Sequence, residues 1–209
     1  MKHKIIVAGI GPGNPDYMVP EALRAIRSAR VLVGGRRALA QFAEPDRQEL
    51  MPVGGDIPAV LSFVKERLLH FDVVVMVSGD PGYYSLLDAL RREFPPELLE
   101  VIPGISSVQL AFARLALPWH EADLLSFHGR VPSAERLRYA KGRLLGLLTD
   151  GRYNSHTVPR LLVAEGWPQE TELAVCSRLS YENEAIIRTT LGEADRFPVC
   201  THCILVVKA

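Results

Sequence analysis

VVVMVSGDPG, residues 73–82, is an apolar run that stops at an acidic glycine turn. Val73 to Val77 show no polar alternation, which predicts a strand covered on both faces, as in parallel sheets. Ser78-Gly79-Asp80-Pro81-Gly82 then sets a carboxylate, accessible amides and a bend at the strand's carboxyl end. That edge is where open α/β sheets take their ligands. The same arrangement recurs where Ile5–Ile10 runs into Gly11-Pro12-Gly13-Asn14-Pro15. It recurs again where Glu100–Ile102 runs into Pro103-Gly104-Ile105-Ser106-Ser107. Three strand ends with such loops predict one shared ligand site.

Outward from this stretch, strands and helices alternate. Pro20–Ala29 reads as a helix, with Pro20 at a first-turn position where its missing N–H costs nothing. Val31–Val33 reads as a strand ending in Gly34-Gly35-Arg36-Arg37, Ala59–Leu69 as a helix, Tyr83–Phe94 as another, and Ser107–Ala116 as a third. The βαβα order implies a mainly parallel sheet with helices on both faces. Leu117-Pro118-Trp119 reads as a hinge, because proline ends the preceding helix. Beyond it, Leu124–His128, Leu144–Leu148, Leu173–Cys176, Ala185–Thr190 and Cys203–Lys208 read as strands, and Thr157–Glu165 as a helix closed by Gly166. Late strands without intervening helices favour a mixed sheet. The expected organisation is an α/β protein with an N-terminal domain over 1–117 and a C-terminal domain over 118–209.

Composition narrows the class. The chain has 209 residues, 48% hydrophobic and 23% charged, as ordinary globular proteins do. Lys+Arg and Asp+Glu balance at 24 each, so no global basic field attracts nucleic acid or an anionic membrane. No apolar stretch approaches the roughly 20 residues that span a bilayer. The N-terminus enters a core strand without a cleavage pattern, so no signal peptide is read. Cys176, Cys200 and Cys203 are few and odd in number, which fits a reducing compartment and a cytoplasmic location.

Two motifs invite other chemistry. A dinucleotide fingerprint needs G-x-G-x-x-G opening a helix directly. Here Asn14 takes the sixth position, Pro12 and Pro15 obstruct a helix, and Gly34-Gly35-Arg36-Arg37 stands where an acid is required. Cys200-Thr201-His202-Cys203 forms a CxxC that leads into a strand rather than a helix N-terminus, where redox pairs lower their thiol pKa. No further zinc ligands stand at short spacing. Its cysteines are read as structural, and no metal site is expected.

Gly9-Ile10-Gly11-Pro12-Gly13, Ser78-Gly79-Asp80-Pro81 and Pro103-Gly104-Ile105-Ser106-Ser107, in this order, resemble the tetrapyrrole (uroporphyrinogen/corrin) methylases across essentially the whole chain. Val33-Gly34-Gly35-Arg36-Arg37, Ala113-Arg114-Leu115 and Ser126-Phe127-His128-Gly129-Arg130 narrow the resemblance. So do Leu148-Thr149-Asp150-Gly151 with Asn154, and Leu179-Ser180-Tyr181-Glu182-Asn183-Glu184. Together these runs look like the precorrin-7 or cobalt-precorrin-7 C-5 methyltransferase branch of cobalamin biosynthesis.

The resemblance implies two α/β domains with S-adenosylmethionine (SAM) in the cleft between them, and a homodimer. By motif, Pro12 borders the cofactor, while Ser78, Gly79, Asp80 and Tyr83 contact it. Ser106 and Ser107 would hydrogen-bond it, the backbone at Leu148 and Thr149 would read the adenine, and Ser177 belongs to a late contacting segment. The branch more often has an acid where Ser177 stands, and Val19 replaces a usual Thr helix cap. His128 is the candidate base for removing a proton, or else a residue that orients substrate. Arg36, Arg37 and Arg130 are the candidates for binding the carboxylates of a tetrapyrrole, with Arg114 and Arg152 behind them. Methylation at carbon 15 and decarboxylation would fall to a partner enzyme. The alternatives are methylation at another ring carbon, or a SAM-binding subunit active only with that partner. Any cobalt would travel within the substrate.

Overall fold

A computed structural model describes residues 3–209. The chain divides into two compact units, Met1–Ser106 and Ser107–Ala209.

In the first unit the order is β1 (Ile5–Gly9), α1 (Pro20–Ser28), β2 (Val31–Gly35), α2 (Arg36–Phe42), β3 (Glu49–Val53), α3 (Ile57–Arg67), β4 (Val73–Val77), α4 (Leu87–Glu93) and β5 (Leu99–Ile102). The sheet order is β3-β2-β4-β1-β5, and every pairing is parallel. β4 is buried at all five positions, as its uninterrupted apolar run requires. On one face α1 and α2 bring Ala22, Ile26, Ala38 and Leu39 onto Ala8, Leu32, Val74 and Met76. On the other, α3 and α4 bring Val60, Val64 and Leu90 onto Val7, Val33, Val73 and Val75. Cutting Met76 back to alanine would cost about 2–5 kcal/mol by loss of this packing.

This division of helices positions a site. β1 and β4 are neighbours, yet β1 leads to a helix on one face and β4 to a helix on the opposite face. The carboxyl ends of β1 and β4 therefore form a topological switch point.

Three elements of this unit, α2, β3 and α4, differ from the sequence reading. α2 and β3 were not foreseen; β3 is an edge strand whose Glu49-Leu50-Met51-Pro52-Val53 is only partly buried, and proline is confined to such edges. The helix expected over Tyr83–Phe94 starts only at Leu87, because Tyr84 sits at φ 50 and the chain turns from Pro81 to Leu86.

The second unit comprises α5 (Ser107–Leu115), β6 (Asp123–Ser126), α6 (Ala134–Leu137), β7 (Leu144–Leu148), α7 (Thr157–Ala164), β8 (Glu172–Ser177), β9 (Ala185–Thr190) and β10 (Ile204–Lys208). Its sheet order is β6-β7-β10-β8-β9. β6 and β7 run parallel and the other pairs antiparallel, the mixed sheet expected. One core joins Leu125, Leu145, Leu147, Leu205 and Val207 to Val158, Leu162 and Trp167. The buried Trp167 Nε1 donates to the Leu137 carbonyl at 2.6 Å.

The division falls before α5, not at the 117/118 boundary expected from Pro118. The reason is packing: Gly146 of β7 leaves a gap that Phe112 and Val108 of α5 fill, and a Cβ there would lie 2.8 Å from the Phe112 ring. α5 ends with Ala116 at φ 55 and Leu117 N–H donating to the Phe112 carbonyl at 3.0 Å, a Schellman closure. Leu117-Pro118 marks the end of a helix that belongs to the second unit.

Candidate functional site

In the first unit the three glycine-bearing loops converge backbone on backbone. The Ile10 amide donates to the Val77 carbonyl at 2.9 Å, extending the β1–β4 pairing. Gly11 and Gly79 then exchange both bonds: the Gly79 amide donates to Gly11 O at 2.8 Å and the Gly11 amide to Gly79 O at 3.3 Å. Both glycines have left-handed backbones, φ 74 and 72, which residues with a Cβ rarely adopt. A Cβ at Gly104 would run into the Gly79 carbonyl oxygen, and one at Gly9 would lie 2.7 Å from the Gly104 nitrogen.

Asp80 closes this arrangement. Its Oδ1 accepts the Gly82 amide at 2.8 Å and its Oδ2 the Gly104 amide at 3.0 Å. A carboxylate has about four acceptor directions, so both oxygens keep capacity for a ligand. Ser78 is exposed, Gly79 and Ser106 are buried, and Pro12 and Tyr83 are half-buried. The Tyr83 amide donates to the Asp80 carbonyl at 3.2 Å, and its ring packs 4.8 Å from that of Tyr84. Pro12, Ser78, Gly79, Asp80, Tyr83 and Ser106 thus lie on three joined loops. Arg36 and Arg37 are exposed at the start of α2, directly after β2, the other neighbour of β4.

In the second unit, β6 and β7 bring their carboxyl ends, and antiparallel β10 its amino end, to one edge of the sheet. The Phe127 amide donates to Leu148 O at 2.8 Å. The Thr149 hydroxyl donates to Cys203 O and accepts the Cys203 amide, both at 2.8 Å, while the Thr149 amide reaches Cys203 O at 3.2 Å. Those groups of Leu148 and Thr149 are thus engaged in holding β6, β7 and β10 together. Asp150 Oδ1 accepts the amides of Arg152 at 2.8 Å and Tyr153 at 2.7 Å, and Oδ2 that of Gly129 at 3.2 Å. The Tyr153, Gly129 and Arg152 amides, with the nearby His128 imidazole, hold the Asp150 carboxyl below the usual carboxylate range.

His128 and Arg130 are exposed on the loop after β6. The His128 ring lies 6.3 Å from that of His202, which has a left-handed backbone at φ 52. Ser177 ends β8 at the same sheet edge, its hydroxyl donating to Ala185 O at 3.3 Å. Ser107 begins α5. Sequence reasoning gave no role to Asp150 or His202. Asp150 was visible as an acid at a strand end and as one member of the Leu148-Thr149-Asp150-Gly151 run, and His202 only as a spacer within the CxxC.

Arg114 is bound within the second unit. Its Nε donates to Glu184 Oε1 at 2.6 Å, and Glu184 Oε2 accepts the Ser180 amide at 2.7 Å. Arg114 holds the Glu184 carboxyl below its ordinary range. The pair braces the β8–β9 turn, where Arg178 and Ser180 have positive φ of 50 and 72. Burial pushes the Cys203 thiol up to about 11 and the Cys176 thiol up to about 12, the opposite of a reactive thiolate. Among the described residues no helix is long and apolar enough to cross a membrane.

Residues 4–195 match the sequence profile of the Tetrapyrrole (Corrin/Porphyrin) Methylases. Over 182 residues the chain is 37% identical to the cobalt-precorrin-7 C(5)-methyltransferase of Salmonella typhimurium, covering 87% of this chain and 88% of that one. It is 32% identical over 198 residues to the precorrin-6Y C(5,15)-methyltransferase (decarboxylating) of a Sinorhizobium species, covering 92% of this chain and 46% of that one. Among solved structures, the methyltransferase CobJ superposes with a TM-score of 0.81 at 21% identity, covering 99% of this chain and 94% of that one.

Proposed function

The chain belongs to the tetrapyrrole methylase family, and from that premise we propose that it methylates carbon 5 of a precorrin-7 or cobalt-precorrin-7 type tetrapyrrole in cobalamin biosynthesis, with SAM as methyl donor. The observation that carries this reading is the 37% identity, over most of both chains, to a cobalt-precorrin-7 C(5)-methyltransferase.

The groups present suit SAM. Its ammonium and hydroxyl groups are donors, and Asp80 retains acceptor capacity after binding Gly82 and Gly104. The bare backbones of Gly9 and Gly104 let the three loops that carry these groups pack against one another. In the first unit, Pro12, Ser78, Gly79, Asp80, Tyr83 and Ser106 hold the cofactor. In the second, Ser107, Leu148, Thr149 and Ser177 do so, with Leu148 and Thr149 acting through shape around their bonded backbone. SAM, when bound, supplies a methyl group already activated on a sulfonium. The enamine-like carbon of a reduced tetrapyrrole needs no protein nucleophile, so the chain's task is alignment, which can be worth about 7–11 kcal/mol of barrier.

Arg36, Arg37 and Arg130 bind the substrate carboxylates, to which guanidinium forks are matched. His128, exposed on the loop after β6, takes the proton lost from the methylated carbon or orients the ring. The partial match to a C5,15 enzyme supports pairing with a separate C15-methylating, decarboxylating protein. A homodimer, on the strength of the family resemblance, and a cytoplasmic location, on the few and odd-numbered cysteines, complete the reading. Incubation with precorrin-7, with and without cobalt, and isotopically labelled SAM tests it: mass spectrometry should show one labelled methyl gained. No gain on either form, with SAM binding demonstrated, would contradict it.

A further inference from the structure

The turn after β6 carries His128 on a segment with little packing of its own, since His128, Gly129, Arg130 and Val131 are all exposed. Hydrogen bonds shape it. The His128 amide donates to Ser126 Oγ at 3.1 Å, and Gly129 takes φ 67, a conformation a glycine tolerates. The Gly129 amide then donates to Asp150 Oδ2 at 3.2 Å, on the loop after β7.

Asp150 is itself firmly held. Its Oδ1 accepts two amides of its own loop, and its backbone amide donates to Tyr153 O at 2.9 Å. The Tyr153 ring packs 5.3 Å from the Phe127 ring, and Thr149, the preceding residue, is bonded to both backbone groups of Cys203. The acceptor that meets Gly129 is therefore preorganised, as a support for a functional side chain must be.

We propose that Asp150 is the positioning residue of His128: by holding the Gly129 amide it fixes the turn that presents the imidazole to the tetrapyrrole. The inference rests on the proposed methyl transfer and extends it to a residue that need not touch substrate or cofactor. Asp150 acts through the loop, so its loss should be felt only while His128 is there to be positioned.

Asp150→Asn separates the two halves of this arrangement. The amide oxygen can keep the Arg152 and Tyr153 bonds, and the NH₂ then faces the Gly129 N–H donor to donor. Asp150→Ser is the second variant, because its hydroxyl can still form a local turn but is too short to span to Gly129. With either variant, hydrogen exchange of the amides over 127–130 should quicken, SAM affinity should stay within about twofold, and kcat should fall about tenfold. Combined with His128→Ala, Asp150→Asn should add almost nothing to the loss from His128→Ala alone, the non-additivity of residues acting as one unit. Unchanged exchange over 127–130, or losses that multiply in the double variant, would overturn the proposal. If wild-type protein transfers no methyl, the functional reading fails, and the exchange measurement still decides whether Asp150 holds the turn.

Discussion

Asp80 Oδ2 accepts the Gly104 amide at 3.0 Å, so one side chain joins the loop after β4 to the loop after β5. Its other oxygen closes the Asp80–Gly82 turn, and one carboxylate shapes two of the three loops proposed to hold SAM. Asp80→Ala removes both bonds. Hydrogen bonds to a charged group contribute about 1.5–3 kcal/mol each, so SAM affinity should fall at least tenfold by calorimetric titration. An affinity within twofold of wild type would show that the loops keep their shape without it.

Gly104→Ala tests the same junction by steric means. The added Cβ would meet the Gly79 carbonyl oxygen and the Gly9 backbone, neither of which is the flexible end of a side chain. Overpacking of this kind costs about 1–3 kcal/mol. The variant should unfold at a temperature lower by several degrees and bind SAM less tightly, as followed by circular dichroism and titration.

Arg130→Ala should raise KM for the tetrapyrrole about tenfold through loss of a charge-assisted carboxylate bond, while leaving SAM affinity nearly intact. An equal loss of both would contradict the assignment of Arg130 to the substrate. In the same assay His128→Ala separates its two roles. A fall in kcat with KM unchanged marks proton removal, and a rise in KM marks orientation.

The Arg114–Glu184 pair predicts a pH dependence. Arg114 lowers the Glu184 carboxyl below its ordinary value in the folded chain. As pH falls, the unfolded chain therefore takes up this proton first. The stabilisation is fully present above the ordinary carboxylate range and is lost as pH falls through the lowered folded value. Arg114→Gln should reduce stability at neutral pH and flatten this part of the acid-side slope, measured by urea unfolding across the series. A slope identical to wild type would show that the pair adds no pH-dependent stability.

Much of the fold is legible because burial writes itself into local pattern. Val73–Val77 and Leu144–Leu148, buried along most of their length, are strands with the bounds read from sequence. β3 escaped because an edge strand with Pro52 and half-exposed positions lacks that signal. The unit boundary was misplaced because Pro118 reports where a helix stops, whereas the packing of Phe112 on Gly146 determines which unit the helix joins. At the candidate site, glycines and acids at strand ends were visible. The Gly11–Gly79 exchange and the Asp150–Gly129 bond join segments far apart in the chain, and no local spacing encodes them.

The most direct test of the account is where the methyl goes. Protein incubated with ¹³C-methyl SAM and precorrin-7, metal-free and cobalt-loaded, should yield a product with one labelled methyl that NMR places on carbon 5. A labelled methyl on any other ring carbon would contradict the central claim.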